Sequence, residues 1–294
     1  MNDYVTGEEH GQGWRLLLGD SCERLAELQT ESVDLSICSP PFASLYVYSP
    51  SLRDLGNSST REEFLQHYGY IIREQLRVTR PGRLACVHVQ QLSTTKATNG
   101  VIGLTDFRGD VIRAFVGGGW IFHGEVAVDK DPQAQAIRTK AHALMFQTLH
   151  RDSSMTRPAM ADFVLVFRKP GDNSTPIRGD VDNDTWIEWA RPIWYGIRET
   201  NTLNARTARE STDERHIAPL QLDLIERCVR LWSNCGELVL SPFAGIGSEG
   251  VVSIEQGRRF VGIELKASYW RDAVENLRDA ERLASQPALL EISR

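Results

Sequence analysis

Residues 238–250 read Leu-Val-Leu-Ser-Pro-Phe-Ala-Gly-Ile-Gly-Ser-Glu-Gly. The apolar residues 238–240 predict a short buried strand, and residues 248–256 have the spacing of a helix. Between them, Gly245 and Gly247 allow a sharp turn and a close approach to a ligand, where a Cβ atom would clash. The N-terminus of the helix would direct its amide groups at that ligand. A tight turn that binds nothing is the plain structural alternative.

Glu264 supports the ligand-binding interpretation. It ends the next predicted strand, residues 260–263, about 20 residues after the glycines, where a nucleotide-binding sheet places an acid for ribose hydroxyls. The spacing Phe243-X-Gly245-X-Gly247 is less like a dinucleotide site. It resembles the S-adenosylmethionine (SAM) motif of methyltransferases.

A second motif, Ser39-Pro40-Pro41-Phe42, follows the predicted buried strand Val33–Cys38. Two consecutive prolines remove two backbone donors and stiffen the chain just past the strand end. Ser39 Oγ and the Pro40 carbonyl could accept the hydrogens of an amine and orient its lone pair. The Phe42 ring could stack on a flipped base. A proline-terminated strand with an exposed phenylalanine is the alternative.

Strands and helices alternate along the chain, which predicts an α/β fold with a mostly parallel sheet and helices on both faces. Residues 60–79 illustrate the pattern: Thr60 is the expected N-cap, Glu63 completes a capping box, and the apolar positions lie on one helical face.

Composition limits the class of protein. The chain has 294 residues, 41% of them hydrophobic, and a net charge of −6. The sequence has no run of roughly 18 apolar residues, so no membrane span is expected. The N-terminus lacks the features of a signal peptide. The five cysteines form no CxxC pair, so we expect a reduced, cytoplasmic protein without a structural metal.

The chain resembles the permuted, β-group DNA amino-methyltransferases, in which the catalytic motif precedes the SAM motif. The resemblance extends over most of the sequence, including Gly19-Asp20, residues 80–83 and 162–171, and residues 216–220. It implies a Rossmann-like methyltransferase fold with a mostly parallel seven-stranded sheet, a circularly permuted motif order and a small target-recognition insertion. SAM is the implied cofactor. Its implied contacts are Asp20, His216, Pro219, Phe243, Gly245, Gly247 and Glu264, and the implied catalytic residues are Ser39, Pro40, Pro41 and Phe42.

Three regions follow from this resemblance. Residues 1–170 form the catalytic half of the methyltransferase domain, residues 171–213 the target-recognition region, and residues 214–294 the SAM-binding half. The resemblance implies double-stranded DNA as the partner, and residues 138–169, which hold six Lys or Arg against two Asp, form a local basic stretch compatible with it. Solvated surface charge is the alternative for each residue of the predicted DNA-binding set: Arg138, Lys140, Arg151, Arg157, Arg198, Arg206 and Arg209.

The sequence leaves open which base carries the methylated amine. Ser39-Pro40-Pro41-Phe42 resembles the N4-cytosine members more than the N6-adenine members, although adenine remains a rival. Cys38 precedes the prolines within a buried strand, so we interpret it as a core residue rather than a C5-cytosine nucleophile. An RNA or protein methyltransferase, or a DNA-binding protein with a decayed site, are the other rivals. The resemblance also implies a bacterial or phage source and a role in restriction-modification, and it allows a homodimer.

Overall fold

The computed structural model describes residues 5–41, 54–58, 60–94, 96–203 and 219–286. Within these ranges the strands are β1 (Gly7–His10), β2 (Trp14–Leu18), β3 (Val33–Cys38), β4 (Thr79–Gln90), β5 (Leu92–Thr94), β6 (Gly103–Thr105), β7 (Ile121–Val128), β8 (Asp162–Arg168), β9 (Ile193–Trp194), β10 (Leu238–Ser241) and β11 (Arg259–Glu264). The helices are α1 (Ser21–Leu25), α2 (Arg61–Val78), α3 (Lys96–Asn99), α4 (Phe107–Gly117), α5 (Pro132–Thr139), α6 (Phe146–Arg151), α7 (Asn183–Trp189), α8 (Leu222–Trp232), α9 (Ser248–Glu255) and α10 (Ala267–Ala284).

In the described part of the chain, the main sheet has nine strands in the order β1-β2-β11-β10-β3-β4-β8-β7-β9. The five adjacent strands β2, β11, β10, β3 and β4 are all parallel to one another. β8 lies antiparallel between β4 and β7. The predicted mostly parallel sheet of seven strands is the run from β2 to β7. The short strands β1 and β9 extend it at the two edges, and β5 pairs with β6 in a separate hairpin.

Two hydrophobic cores cover the two faces of the sheet. Helices α8, α9 and α10 pack on one face and α1, α2 and α4 on the other. The strands supply the cores with alternate residues: Val164 and Val166 of β8 face the first core, while Leu165 and Phe167 face the second. A parallel sheet covered on both faces needs strands that are apolar on both sides, and all six residues of β3 are buried.

Local signals in the sequence agree with this arrangement. β3 has the predicted bounds, and Cys38 is fully buried, as expected of a core residue. Helix α2 begins after Thr60, whose Oγ1 accepts a hydrogen bond from the Glu63 N–H at 3.1 Å. The predicted N-cap of this helix is therefore confirmed.

Two segments are more structured than the sequence indicated. Residues 129–161 join β7 to β8 and carry α5 and α6, although their apolar residues show no long helical period. Residues 171–203 include α7 and β9, and Trp194 of β9 is fully buried against the first core. Tertiary contacts with the sheet edge and α8 order this polar segment, and periodicity cannot reveal such contacts.

The structure also bears on two broad classes of protein. No helix among the described residues is both long and apolar enough to cross a bilayer. Over the same ranges, no cluster of His, Cys, Asp or Glu side chains could hold a metal ion.

The second core offers a direct test of the packing. Phe115 of α4 is fully buried and stacks on Phe167 with ring centroids 4.1 Å apart, whereas the adjacent Val116 is half exposed. We expect Phe115→Ala to lower the free energy of unfolding by about 3–5 kcal/mol, because it removes apolar contacts and leaves a cavity. The control Val116→Ala should change it by less than about 0.5 kcal/mol. Equal effects of the two substitutions in urea unfolding would contradict the packing described.

Candidate active site

The two motifs meet at one edge of the sheet. β3 and β10 pair in parallel, with Val239 opposite Leu35 and Leu240 opposite Ser36, so their carboxyl ends lie side by side. The chain continues from β10 into α9 on one face of the sheet and from β3 toward α2 on the other. The crevice between β10 and β3 is therefore a topological switch point, the place where open α/β sheets bind ligands.

The loop after β10 has the backbone that its glycines predict. Gly245 and Gly247 have φ angles of +54° and +89°, which side-chain-bearing residues rarely adopt. A Cβ at Gly245 would meet no atom within 4 Å, so this part of the loop borders open space. Gly247 is the N-cap of α9. The loop thus presents backbone amides and a helix N-terminus to a space that a ligand could fill.

Glu264 holds this loop in place. Its Oε2 accepts a hydrogen bond from the Gly245 N–H and its Oε1 accepts one from the Lys266 N–H, both at 2.8 Å. Burial raises the pKa of Glu264 to about 7 and outweighs these two hydrogen bonds; the nearby charge of Asp54 raises the pKa further. Glu264 thus lies at the predicted position, and above pH 7 its ionised oxygens keep lone pairs for hydroxyl donors.

Asp20 lies at the end of the neighbouring strand β2. Its Oδ1 caps α1 by accepting a hydrogen bond from the Cys22 N–H at 2.8 Å. The preceding Gly19 N–H donates to the Glu264 carbonyl at 2.9 Å, and Ser21 Oγ donates to the Pro242 carbonyl. These bonds tie the ends of β2, β10 and β11 together, so Asp20, Gly245 and Glu264 share one rim.

The Ser39-Pro40-Pro41 segment follows β3 beside this rim. Pro40 is buried, while Ser39 and Pro41 are partly accessible. Phe243, from the adjacent loop, packs against Tyr68 of α2 with ring centroids 6.0 Å apart. Phe42 lies outside the described residues, as does His216. Pro219 is partly buried just before α8.

Three further polar side chains lie behind Ser39. His88 Nδ1 is 3.1 Å from Ser39 Oγ, and His88 Nε2 is 3.1 Å from Asp162 Oδ2. Lys130 Nζ lies 2.7 Å from the same Asp162 oxygen. The sequence alone predicts no function for these three residues. A signal for His88 did exist, because it is a titratable residue within the apolar run of β4.

The predicted DNA-binding residues divide into two groups. Lys140 and Arg151 are exposed, Arg157 is partly exposed, and all three lie in the 129–161 connection between β7 and β8. That connection leaves the same sheet edge as Ser39, because β7 runs in the same direction as β4. Arg198 instead makes a bidentate contact with Asp223 of α8, at 2.7 and 3.0 Å. The side chain of Arg138, and Arg206 and Arg209, lie outside what the structure describes.

Residues 33–275, which include both motifs, match the family model N6_N4_Mtase, described as DNA methylase. The chain belongs to this family. The resemblance to DNA amino-methyltransferases is thereby confirmed at the level of the family, whose name covers both N6 and N4 amines. The β-group assignment and the choice of base stay predictions.

Individual relatives agree with the family. The Type II methyltransferase M1.MboII of Moraxella bovis is 37% identical over 83 residues, which are 28% of this chain and 30% of that relative. The structure of TTHA0409 of Thermus thermophilus, complexed with S-adenosyl-L-methionine, has a TM-score of 0.66 at 22% identity and covers 90% of this chain and 94% of that one. The cytosine-N4-specific PvuII DNA methyltransferase has a TM-score of 0.65 at 18% identity, covering 95% and 96%. These two likenesses confirm the predicted Rossmann-like methyltransferase fold.

A buried carboxylate near the loop, that of Glu249, predicts how stability depends on pH. Glu249, in the first turn of α9, is buried; desolvation raises its pKa to about 8, and the charge of Glu264 adds to the shift. Because the folded state holds this proton more tightly than the unfolded state, the free energy of unfolding should fall as pH rises from about 4.5 through about 8. Glu249→Gln stays neutral and should escape that loss.

We therefore compare the melting temperatures of Glu249→Gln and the unsubstituted protein. The value for Glu249→Gln minus that for the unsubstituted protein should increase by several degrees from pH 5 to pH 8.5. Differential scanning calorimetry at both pH values measures this. Glu62→Gln, on the exposed side of α2, controls for the substitution itself. A difference in melting temperature that is independent of pH would contradict the assigned shift.

Proposed function

We propose that this protein transfers a methyl group from S-adenosylmethionine to the exocyclic N4 of a flipped cytosine in double-stranded DNA. One observation carries the proposal: the Ser39-Pro40-Pro41 segment and the Phe243–Gly247 loop leave adjacent parallel strands at the same sheet edge. Methyl transfer requires an acceptor site and a donor site in direct contact, and this pairing provides two neighbouring sites of suitable chemistry.

The residues around the Gly245 loop fit SAM. The space beside Gly245 would admit the cofactor without a side-chain clash, and the amides at the start of α9 suit its carboxylate end. The Glu264 carboxylate would accept hydrogen bonds from ribose hydroxyls, and Asp20 lies on the same rim. We assign Phe243, Gly247 and Pro219 to the same site, with His216. When bound, SAM supplies a methyl group attached to a sulfonium sulfur. The neutral thioether that remains is a good leaving group.

The chain's own groups act on the amine. Ser39 Oγ and the Pro40 carbonyl would accept its two hydrogens, which directs the nitrogen lone pair away from them and toward the methyl donor. Pro40 and Pro41 fix the direction of these acceptors, because proline restricts the backbone and offers no competing N–H. Phe42 would stack on the flipped base, and closure around that base would exclude water from the attacking nitrogen.

The choice of cytosine rests on the motif. Ser39 is a neutral hydrogen-bond acceptor, and the Ser-Pro-Pro-Phe form resembles that of N4-cytosine enzymes. The PvuII enzyme, which is cytosine-N4 specific, has the same fold. Methylation of adenine N6 by the same geometry is the alternative, and the family includes both reactions.

We further assign DNA contacts to Lys140, Arg151 and Arg157 in the 129–161 connection, with Arg138, Arg206 and Arg209. Lysine and arginine side chains on the edge that holds Ser39 would bind phosphates while a base reaches the site. We keep residues 171–213 as the target-recognition region, where Trp186 and Tyr195 are exposed. Arg198 would need to leave Asp223 before it could contact DNA. A cytoplasmic restriction-modification role and a homodimer belong to the same proposal.

Mass spectrometry of nucleosides tests the reaction directly. Unmodified plasmid DNA incubated with the protein and SAM should yield N4-methylcytosine. Ser39→Ala should lower the rate by roughly 10²-fold, because it removes one preorganised hydrogen-bond acceptor, while SAM affinity is kept. Ser32→Ala, whose hydroxyl bonds the Gln29 carbonyl before β3 begins, should be fully active. N6-methyladenine would refute the choice of base, and the absence of any modified base would refute the function.

Glu264→Ala tests the cofactor site. The substitution removes charge-assisted hydrogen bonds worth about 1.5–3 kcal/mol each, so SAM affinity in calorimetry should fall at least about 10-fold. Since the pKa of Glu264 is about 7, the affinity of the unsubstituted protein should also fall as pH decreases through 7. Glu264→Ala should lack that pH-dependent component, and Glu255→Ala, at the far end of α9, should bind normally. Unchanged affinity in Glu264→Ala would remove Glu264 from the site.

A further inference from the structure

Behind Ser39 the side chains of His88, Asp162 and Lys130 form a continuous line away from the crevice. Ser39 Oγ to His88 Nδ1 is 3.1 Å, His88 Nε2 to Asp162 Oδ2 is 3.1 Å, and Asp162 Oδ2 to Lys130 Nζ is 2.7 Å. Each of these three distances is short enough for a hydrogen bond or a close ion pair. The four residues come from the end of β3, from β4, from β8 and from the turn after β7, so the sheet itself fixes their spacing.

Burial makes this line unusual for a merely structural cluster. His88 is 9% exposed, Asp162 5% and Lys130 6%. Buried charges are costly unless they are paired, and well-packed apolar residues could join β4 to β8 at lower cost. The line ends in the one partly accessible hydroxyl of the Ser39-Pro40-Pro41 segment. Its position therefore points to the chemistry at that hydroxyl.

The proposed reaction leaves a proton to be removed. As the amine nitrogen bonds the methyl carbon, the carbon–sulfur bond breaks with its electron pair on sulfur, and the nitrogen becomes positively charged. The neutral product requires loss of one N–H proton. A serine hydroxyl that accepts this proton must release its own, because a doubly protonated hydroxyl oxygen is far too acidic to persist near neutral pH. Ser39 thus requires a base on its other side.

We propose that His88 is this base: as methyl transfer proceeds, the amine proton passes to Ser39 Oγ while the Ser39 hydroxyl proton passes to His88 Nδ1. This inference rests on the proposed function. The resulting imidazolium faces the Asp162 carboxylate through Nε2, and it returns its proton to water after the product leaves. Because His88 acts through Ser39, it is a positioning and proton-accepting partner rather than a group that touches the base.

Asp162 and Lys130 keep His88 ready for this role. Burial alone would raise the pKa of Asp162, but its contacts with His88 and the Lys130 ammonium outweigh burial and hold the pKa below its usual value. Gln90 Nε2 donates to the other oxygen, Oδ1, at 2.7 Å. The carboxylate thus stays ionised and fixed, with Oδ2 facing Nε2. Glu199, 4.0 Å from Lys130, supplies the second negative charge that balances a transient imidazolium.

Two His88 variants separate proton acceptance from simple support. The amide of His88→Asn can hydrogen-bond Ser39 but cannot take up its proton. We expect its single-turnover methylation rate, with SAM and DNA pre-bound, to fall by roughly 10²-fold or more, while both equilibrium affinities stay within about twofold of the unsubstituted values. His67→Asn, on the exposed side of α2, should retain full rate.

Chemical rescue provides the second measurement. Added imidazole should restore the rate of His88→Ala in a concentration-dependent manner, whereas pyrazole, which has a similar shape and is a much weaker base, should not. If His88→Ala does not fold, judged by its thermal unfolding, the His88→Asn rate decides alone. Full activity of His88→Asn, or equal rescue by imidazole and pyrazole, would overturn the proton relay while leaving the proposed function intact. An unsubstituted protein that modifies no DNA base would overturn both.

Discussion

The parallel pairing of β3 with β10 is the constraint on which the rest of this molecule depends. The two strands are far apart in the chain, yet Leu35 lies opposite Val239 and Ser36 opposite Leu240. Asp34 reinforces the pairing, because its Oδ2 accepts a hydrogen bond from the Leu238 N–H at 2.9 Å. A parallel register places both carboxyl ends at one edge. A slip of one residue would turn the apolar side chains of β3 to the wrong faces.

The buried charged groups are paired at the amino end of these strands, whereas the carboxylates at the carboxyl end have raised pKa values. At the amino end, Asp34 and the fully buried Arg83 form an ion pair that also includes Glu237, so each charge has a partner and the cluster ties the strand ends together. At the carboxyl end, burial raises the pKa of both Glu249 and Glu264. The charges at the amino end thus hold the strands together. The carboxyl end keeps carboxylates in reduced contact with water, where a bound ligand gains most from them.

Sequence reasoning worked where a signal lies within one element. The β3 strand, the Thr60 cap and the glycine loop each depend on residues close in the chain, so pattern and capping chemistry suffice. Glu264 could also be placed, because it ends a predicted strand and parallel strand ends share an edge, whereas Asp20 was named through the resemblance to the family. The contacts of His88 and Lys130 could not be predicted, although His88 stands out as a titratable residue in an apolar strand. Their significance depends on the antiparallel pairing of β4 with β8 and β8 with β7, which no local pattern specifies.

The sequence by itself determined the class of fold, the order of the two motifs and the positions of Ser39, Gly245 and Glu264 just after or at the ends of strands, since strand periodicity, proline and glycine act locally. Only the tertiary structure decided which polar groups stand behind Ser39, that Arg198 pairs with Asp223, and that Trp194 packs into the core. The physical reason is that a hydrogen bond or ion pair across a sheet depends on strand order and register. Those are set by the collective burial of apolar faces, to which a single polar residue contributes almost nothing.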